Sequence, residues 1–438
     1  MHARPTYQIH LDPDLVEQFN ESLDAEEHIS GQLSFTGEYF KKKKYRGLNA
    51  WDCICSCVNR IRDTVDYLND QVLGQELKYR SAFDFVNFIN NAAVVIDSVD
   101  MLANILGVDL LEEDSRTAAF NQVGKDGKGS DKKYFEFIRS LCAVHPVETD
   151  RHARYQNSKV VSCPFISWVR GTILETAWDC DLHANAFVNE SNSWGDSICI
   201  RIDQVFAYVK YRYSLLNKIG VALEKYQQEV IERFRCSPIP DRYPDEDELE
   251  YINRLKTAEG ERFGSSNDSV YEFAKKAIAF IPSNPANRDA ALRYANAWRF
   301  ALDLQLNVLR DMSRSGIKHA GIENDDTDWI LFEQLEDSCC HCEELAIFNY
   351  HLEKLGYLKR REGSRDAAWG RLKLRELEPV LRPYITLDLD RDADAELYML
   401  SCIALFEIAL QHDCEINRAI PQDARYRKTV KRESYGQE

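Results

Sequence analysis

The stretch Asp131-Lys132-Lys133-Tyr134-Phe135-Glu136-Phe137-Ile138-Arg139-Ser140-Leu141-Cys142-Ala143-Val144-His145-Pro146 sets the character of this chain. Tyr134, Phe137, Ile138, Leu141 and Val144 recur at helical spacing and predict one apolar face, interrupted by the polar Arg139 and Ser140. Pro146 disfavours the α conformation in the residue before it and cannot continue a helix, so His145 falls at or near the last turn. A titratable imidazole is thereby offered one to two turns beyond an arginine. Arg151, His152 and Arg154 follow, either as an extension of a site along a phosphate backbone or as an exposed basic cluster.

Upstream, Gly124 to Ser130 reads as a polar, flexible loop. It lacks the Gly-Lys-Ser/Thr ending that a phosphate loop requires. Two helices precede it, Leu48 to Leu73 and the more apolar Ser81 to Leu106, which Gly107 stops. Downstream, Val160 to Val169 and Ile198 to Val209 have strand character, and Tyr208 to Phe234 reads as a long helix. Pro238, Pro240, Pro244 and the acids Asp245 to Glu248 mark a break in composition. Beyond it, helices are expected at Glu248 to Thr257, Val270 to Phe280, Arg288 to Arg314, Trp329 to Leu355 and Ala393 to His412, with Gly264 to Asn267 as a loop and Trp369 to Leu377 as a β-hairpin. The expected organisation is an N-terminal extension at 1–45, a helical domain at 46–236, a linker at 237–269 and a C-terminal helical domain at 270–438. The fold class is mainly α, with a small β insertion in the first domain.

The 438 residues exceed one ordinary core, and 44 % hydrophobic residues can support two or three. A net charge of -17 excludes a globally basic nucleic-acid binder and leaves only a local patch for that purpose. The run Lys41 to Lys44 is either such a patch or a solvated face. Thirteen cysteines, an odd number, read as reduced thiols of a cytoplasmic protein. The apolar run Leu397 to Leu410 is short and contains Glu407, so a buried helix is expected rather than a membrane span. No membrane partner is expected.

Arg139, five residues, then His145, with Ser140 directly after the arginine, resembles the pattern of ribonuclease members of the HEPN superfamily. The resemblance covers about residues 46–236. It implies a four-helix-type core and a metal-independent endoribonuclease without cofactor that leaves 2′,3′-cyclic phosphate ends. Arg139 and His145 would be catalytic, with Ser140, Arg151, His152 and Arg154 as substrate contacts. The same resemblance implies a composite site in a homodimer, and a toxin or antiphage role with an antitoxin or activating protein as partner.

The residue chemistry suits this. An imidazole titrating near neutrality can exchange a proton with a ribose hydroxyl, and an arginine can grip a phosphate through two parallel hydrogen bonds. Six residues at about 100° each leave His145 roughly 240° round the helix from Arg139, so the pair converges only if the helix end unwinds. The same spacing joins Arg4 to His10 and Arg314 to His319, outside any strong apolar helix. The alternatives are an Arg139 paired with an acidic neighbour and a non-catalytic HEPN-like dimerisation or binding module.

Cys339-Cys340-His341-Cys342 is too compact for one tetrahedral zinc ion, and Cys53, Cys55 and Cys57 lack a partner pair. No metal is assigned. Asp388, Asp390, Asp392 and Asp394 mimic the start of a calcium loop, but Ala393 and Met399 stand where the turn Gly and closing Glu belong. Residues 329–385 weakly resemble a winged-helix module, which would make Arg360, Arg361 and Arg371 contacts to nucleic acid or a partner protein within a regulator.

Overall fold

The computed structural model describes residues 5–24, 35–74, 81–144, 147–156, 161–169, 178–188, 196–237, 239–312 and 343–411. The fold is mainly α, in two compact units: residues 1–25 with 39–228, and residues 26–38 with 229–438.

In the first unit, helix α1 (Asp14–Asp24) precedes α2 (Phe35–Lys42), whose last residues belong here. Helix α3 (Ala50–Asp70) starts at Asn49, whose side chain accepts from the Trp51 amide, as an N-cap should. Ile54, Val58, Ile61, Val65 and Leu68 then fall on one buried face. Helix α4 (Phe83–Leu106) ends at Gly107, which takes the left-handed conformation that glycine adopts freely. Cys57 meets Met101 and Tyr67 meets Asn87, so α3 and α4 run antiparallel. Among the described residues, α4 is the one helix long and apolar enough to cross a membrane by composition; most of its surface is buried inside the protein.

The short α5 (Leu111–Ser115) leads to α6 (Asp131–Arg139), which is capped by the Ser130 side chain. A four-stranded antiparallel sheet follows, in the order β5 (Glu148–Thr149), β6 (Val161–Trp168), β7 (Leu182–Val188), β8 (Asp196–Ile200). Helix α7 (Ile202–Arg235) starts directly after β8, with the Asp181 carboxylate accepting from the Ile202 amide. The strand expected as far as Val209 therefore stops at Ile200. Val205, Tyr208 and Val209 bury at helical spacing instead. Strand β7 is not among the elements expected from the sequence.

The N-terminal segment and the loop before α6 both differ from expectation. The N-terminal segment, expected as an extension with one short helix near Leu15 to Phe19, forms α1 and packs into the first core through Ile9, Leu11, Val16, Phe19 and Leu23. The short strand β1 (Tyr7–Gln8) also pairs with β4 (Val72–Leu73), and β2 (Lys44–Tyr45) with β3 (Leu48–Asn49). The Gly124 to Ser130 loop is pinned, since the Lys125 amide donates to Arg154 O at 3.0 Å and Gly129 N to Val123 O at 2.7 Å.

In the second unit, α8 (Glu248–Phe263), α9 (Asp268–Ala279), α10 (Arg288–Asp311) and α13 (Asp394–Gln411) surround Trp298 and Phe273. The helix expected from Glu248 to Thr257 runs on to Phe263, and with Tyr251, Ile252, Leu255 and Phe263 in the core this segment is packed rather than a linker. Arg254 ties the preceding proline-rich segment down through Glu246 and the Pro240 carbonyl. In α13, Glu407 is buried and held by Arg293 through two bonds of 2.8 and 2.9 Å.

The expected hairpin is also corrected. Residues 365–381 are a helix, α12, which follows α11 (Asn349–Leu355) and a 3-10 turn at Gly356–Lys359. Ser364 caps it by accepting from Ala367 N, and Ala367, Gly370, Leu374, Leu377 and Leu381 bury at spacings of three and four. That periodicity outweighs the alternation of Trp369, Arg371 and Lys373, and it removes the wing. Of the helix expected over 329–355, residues up to 342 lie outside the described residues, as do Cys339 to Cys342.

Candidate functional site

Arg139 is the last residue of α6, and the chain then widens into a π turn over Ser140–Val144. Such turns are rare and frequent at functional sites. Tyr134, Phe137, Ile138 and Leu141 are buried as the spacing predicts, but Val144 is 47 % exposed, because the π turn rotates it off the apolar face. His145 and Pro146 lie outside the described residues, so the geometry of the pair rests on Arg139 alone.

The guanidinium is about one third exposed and meets Asp97 of α4, Nη1 to Oδ2, at 3.4 Å. This is a slack contact to a carboxylate that is itself 66 % exposed. The Arg139 Nε is buried with no hydrogen-bond partner among the described residues. The acidic neighbour that the sequence leaves open is therefore present, though loosely held.

The other expected contacts separate. Ser140 is buried, which leaves it little surface for a substrate. His152 is half-buried, its ring 5.6 Å from that of Phe137, while Arg151 is exposed. Arg154 Nε donates to Asp126 at 2.7 Å, back toward the glycine-rich loop. In the second unit Arg371 is occupied: it donates to Asp394, to Leu389 O at 2.7 Å and to Asp392 O at 2.8 Å. Arg360 and Arg361 are exposed.

A charge network next to Arg139 escapes the sequence reading. Arg212 of α7 has no exposed side-chain surface and pairs with Asp100 of α4 and, at 2.6 Å, with Asp114 of α5. Lys132 of α6 reaches the same two carboxylates, at 2.9 and 2.7 Å. Burial pushes Asp114 up, yet the hydrogen bonds from Lys132 and Arg212 outweigh it and hold its carboxyl below the ordinary range. Burial disfavours the charged Lys132, but Asp114 and Asp100 raise its pKa overall.

Lys132 and Arg139 are seven residues apart on α6, so they share a face; Asp97 and Asp100 are three apart on α4 and share another. The two helices are thus joined by two ionic rungs, Lys132 to Asp100 and Arg139 to Asp97. The inner rung is reinforced by Arg212. The outer one is open to solvent and available to an anion. The i,i+3 acids and i,i+7 bases are readable in the sequence, but not their pairing.

No family model matches the chain, and no curated protein or solved structure is found to match it.

Proposed function

We propose that the first unit is a metal-independent endoribonuclease of the HEPN type. The observation that carries this reading is the state of Arg139: a guanidinium at a helix end, about one third exposed, with a slack 3.4 Å contact to Asp97. A phosphate can replace that carboxylate and make the two parallel bonds that Asp97 does not. Lys132 holds α6 against α4, and Arg212 ties α7 to the same acids, so Arg139 is presented on a fixed frame.

In the proposed reaction the ribose 2′-oxygen attacks phosphorus, the bond to the 5′-oxygen breaks and a 2′,3′-cyclic phosphate forms. One imidazole takes the 2′ proton while another gives a proton to the leaving oxygen. His145 supplies one of these roles and His145 of a second copy the other, which is why a homodimer is part of the proposal. Arg139 offsets the charge gathering on the phosphate. By its resemblance, such a protein acts in the cytoplasm as a toxin or antiphage effector, restrained or triggered by a partner protein.

The test is incubation of the full chain with mixed RNA in EDTA, beside Arg139→Ala and His145→Ala. Loss of cleavage in both variants, with cyclic phosphate ends on the native products, is the expected result. No cleavage by the native chain, or cleavage unchanged in both variants, overturns the reading. A second reading, a non-catalytic binding module, is favoured by the observed Arg139 to Asp97 contact. It predicts a stable dimer that leaves RNA intact.

A further inference from the structure

We propose that the second unit carries a binding strip for single-stranded nucleic acid along α11, the 3-10 turn Gly356–Lys359 and the start of α12. The proposal is independent of the ribonuclease reading, since it uses a different unit and needs no cleavage.

Three rings form the strip. The Lys354 ammonium lies 5.2 Å from the Tyr350 ring and 5.3 Å from Tyr357, and Lys373 lies 5.0 Å from Trp369 and 5.6 Å from Tyr350. Each lysine ammonium thus lies within 6 Å of two rings, and both lie against Tyr350. Both lysine side chains are largely covered, and each is also held by an exposed acid, Glu353 or Glu376. Tyr350 is 52 % and Trp369 40 % exposed, whereas Tyr357 is half-buried.

Tyr357 and Trp369 also line an open groove of about 430 Å³ together with Arg365, Asp366 and Ala368. Arg361 and Arg365 bracket the turn that enters α12, the Ser364 amide donating to Arg361 O at 3.0 Å. Both are exposed and have no ion-pair partner among the described residues. From Glu353 to Glu376 the chain carries eight lysines and arginines against four acids, on a molecule of net charge -17.

Exposed rings beside such arginines match a ligand with flat unsaturated faces and a repeating negative charge. A single strand offers both, because its bases are free to stack on side chains while its phosphates run alongside. A duplex hides its base faces, so charge alone would have to hold it.

The experiment uses the full chain carrying His145→Ala, so that RNA probes survive, and follows anisotropy of short labelled oligonucleotides: unstructured RNA, the same sequence as DNA, and the duplex. Both single strands are expected to bind and the duplex to compete poorly. Trp369→Ala and Tyr350→Ala are each expected to weaken binding by roughly tenfold, and Trp369→Phe to retain most of it. Arg361→Gln with Arg365→Gln should lower the salt slope by about 0.7 for each phosphate that the arginines neutralise. Arg361 and Arg365 are exposed, so their variant should keep the parent melting temperature, and Trp369→Phe controls for the covered part of the Trp369 ring. The proposal is overturned if the native chain binds neither strand, if both alanine variants bind as the parent does, if the duplex competes equally, or if only anionic lipid vesicles or proline-rich peptides are retained.

Discussion

Arg212 and Asp114 meet at 2.6 Å inside the first unit, with no part of the arginine side chain exposed. A buried charge of this kind is stable only while its partners remain. Arg212→Met leaves Asp100 and Asp114 with Lys132 alone and should cost about 3–5 kcal/mol. Lys132→Met, at a more exposed position, should cost about 1 kcal/mol or less. Urea unfolding of the two variants checks the ranking, and equal midpoints would contradict it.

Asp97 is expected to be dispensable for folding, because its contact with Arg139 is long and exposed. Asp97→Asn should change stability by less than about 1 kcal/mol. It also removes the anion that competes with phosphate, so RNA should bind several-fold more tightly when measured in a His145→Ala background. Weaker binding would mean that Asp97 orients Arg139 rather than restraining it.

Burial raises the Glu259 carboxyl on α8 to about 7, well above its ordinary 4.5. Below about pH 4.5 both folded and unfolded chains keep this proton, and its contribution is fully present. As pH rises toward 7 the unfolded chain releases the proton first, so the second unit loses stability, by about 3 kcal/mol in all. Thermal melts from pH 4 to pH 8 should show that decline, and Glu259→Gln should flatten it. An unchanged slope in the glutamine variant assigns the effect elsewhere.

Gly124 has φ +68°, and a Cβ there would fall 2.1 Å from the Arg154 Cγ. Gly127 has φ +66° with nothing within 4 Å of a Cβ. Gly127→Ala should therefore cost only the backbone strain, about 1–2 kcal/mol. Gly124→Ala should cost more, because it also displaces Arg154 from Asp126. Equal losses of stability on chemical unfolding would show that the loop yields around Arg154.

The sequence by itself determined the helices whose apolar residues repeat every three or four positions: α3, α4, α7, α9, α10 and α13. Caps and stops such as Gly107 are local, because hydrogen bonding and φ preference act within a few residues. It also singled out Arg139, whose helix and apolar face need no distant partner to be read. Only the tertiary structure decided what covers each face. Periodicity specifies which side of a helix is buried but not against what, so Ile9 to Leu23 reads as an extension, and residues 365–381 as a hairpin, until the packing is seen. Charge pairing is hidden for the same reason. Asp100, Asp114, Lys132 and Arg212 are spread over 113 residues of chain and become one network only when α4, α5, α6 and α7 bring them within 3 Å.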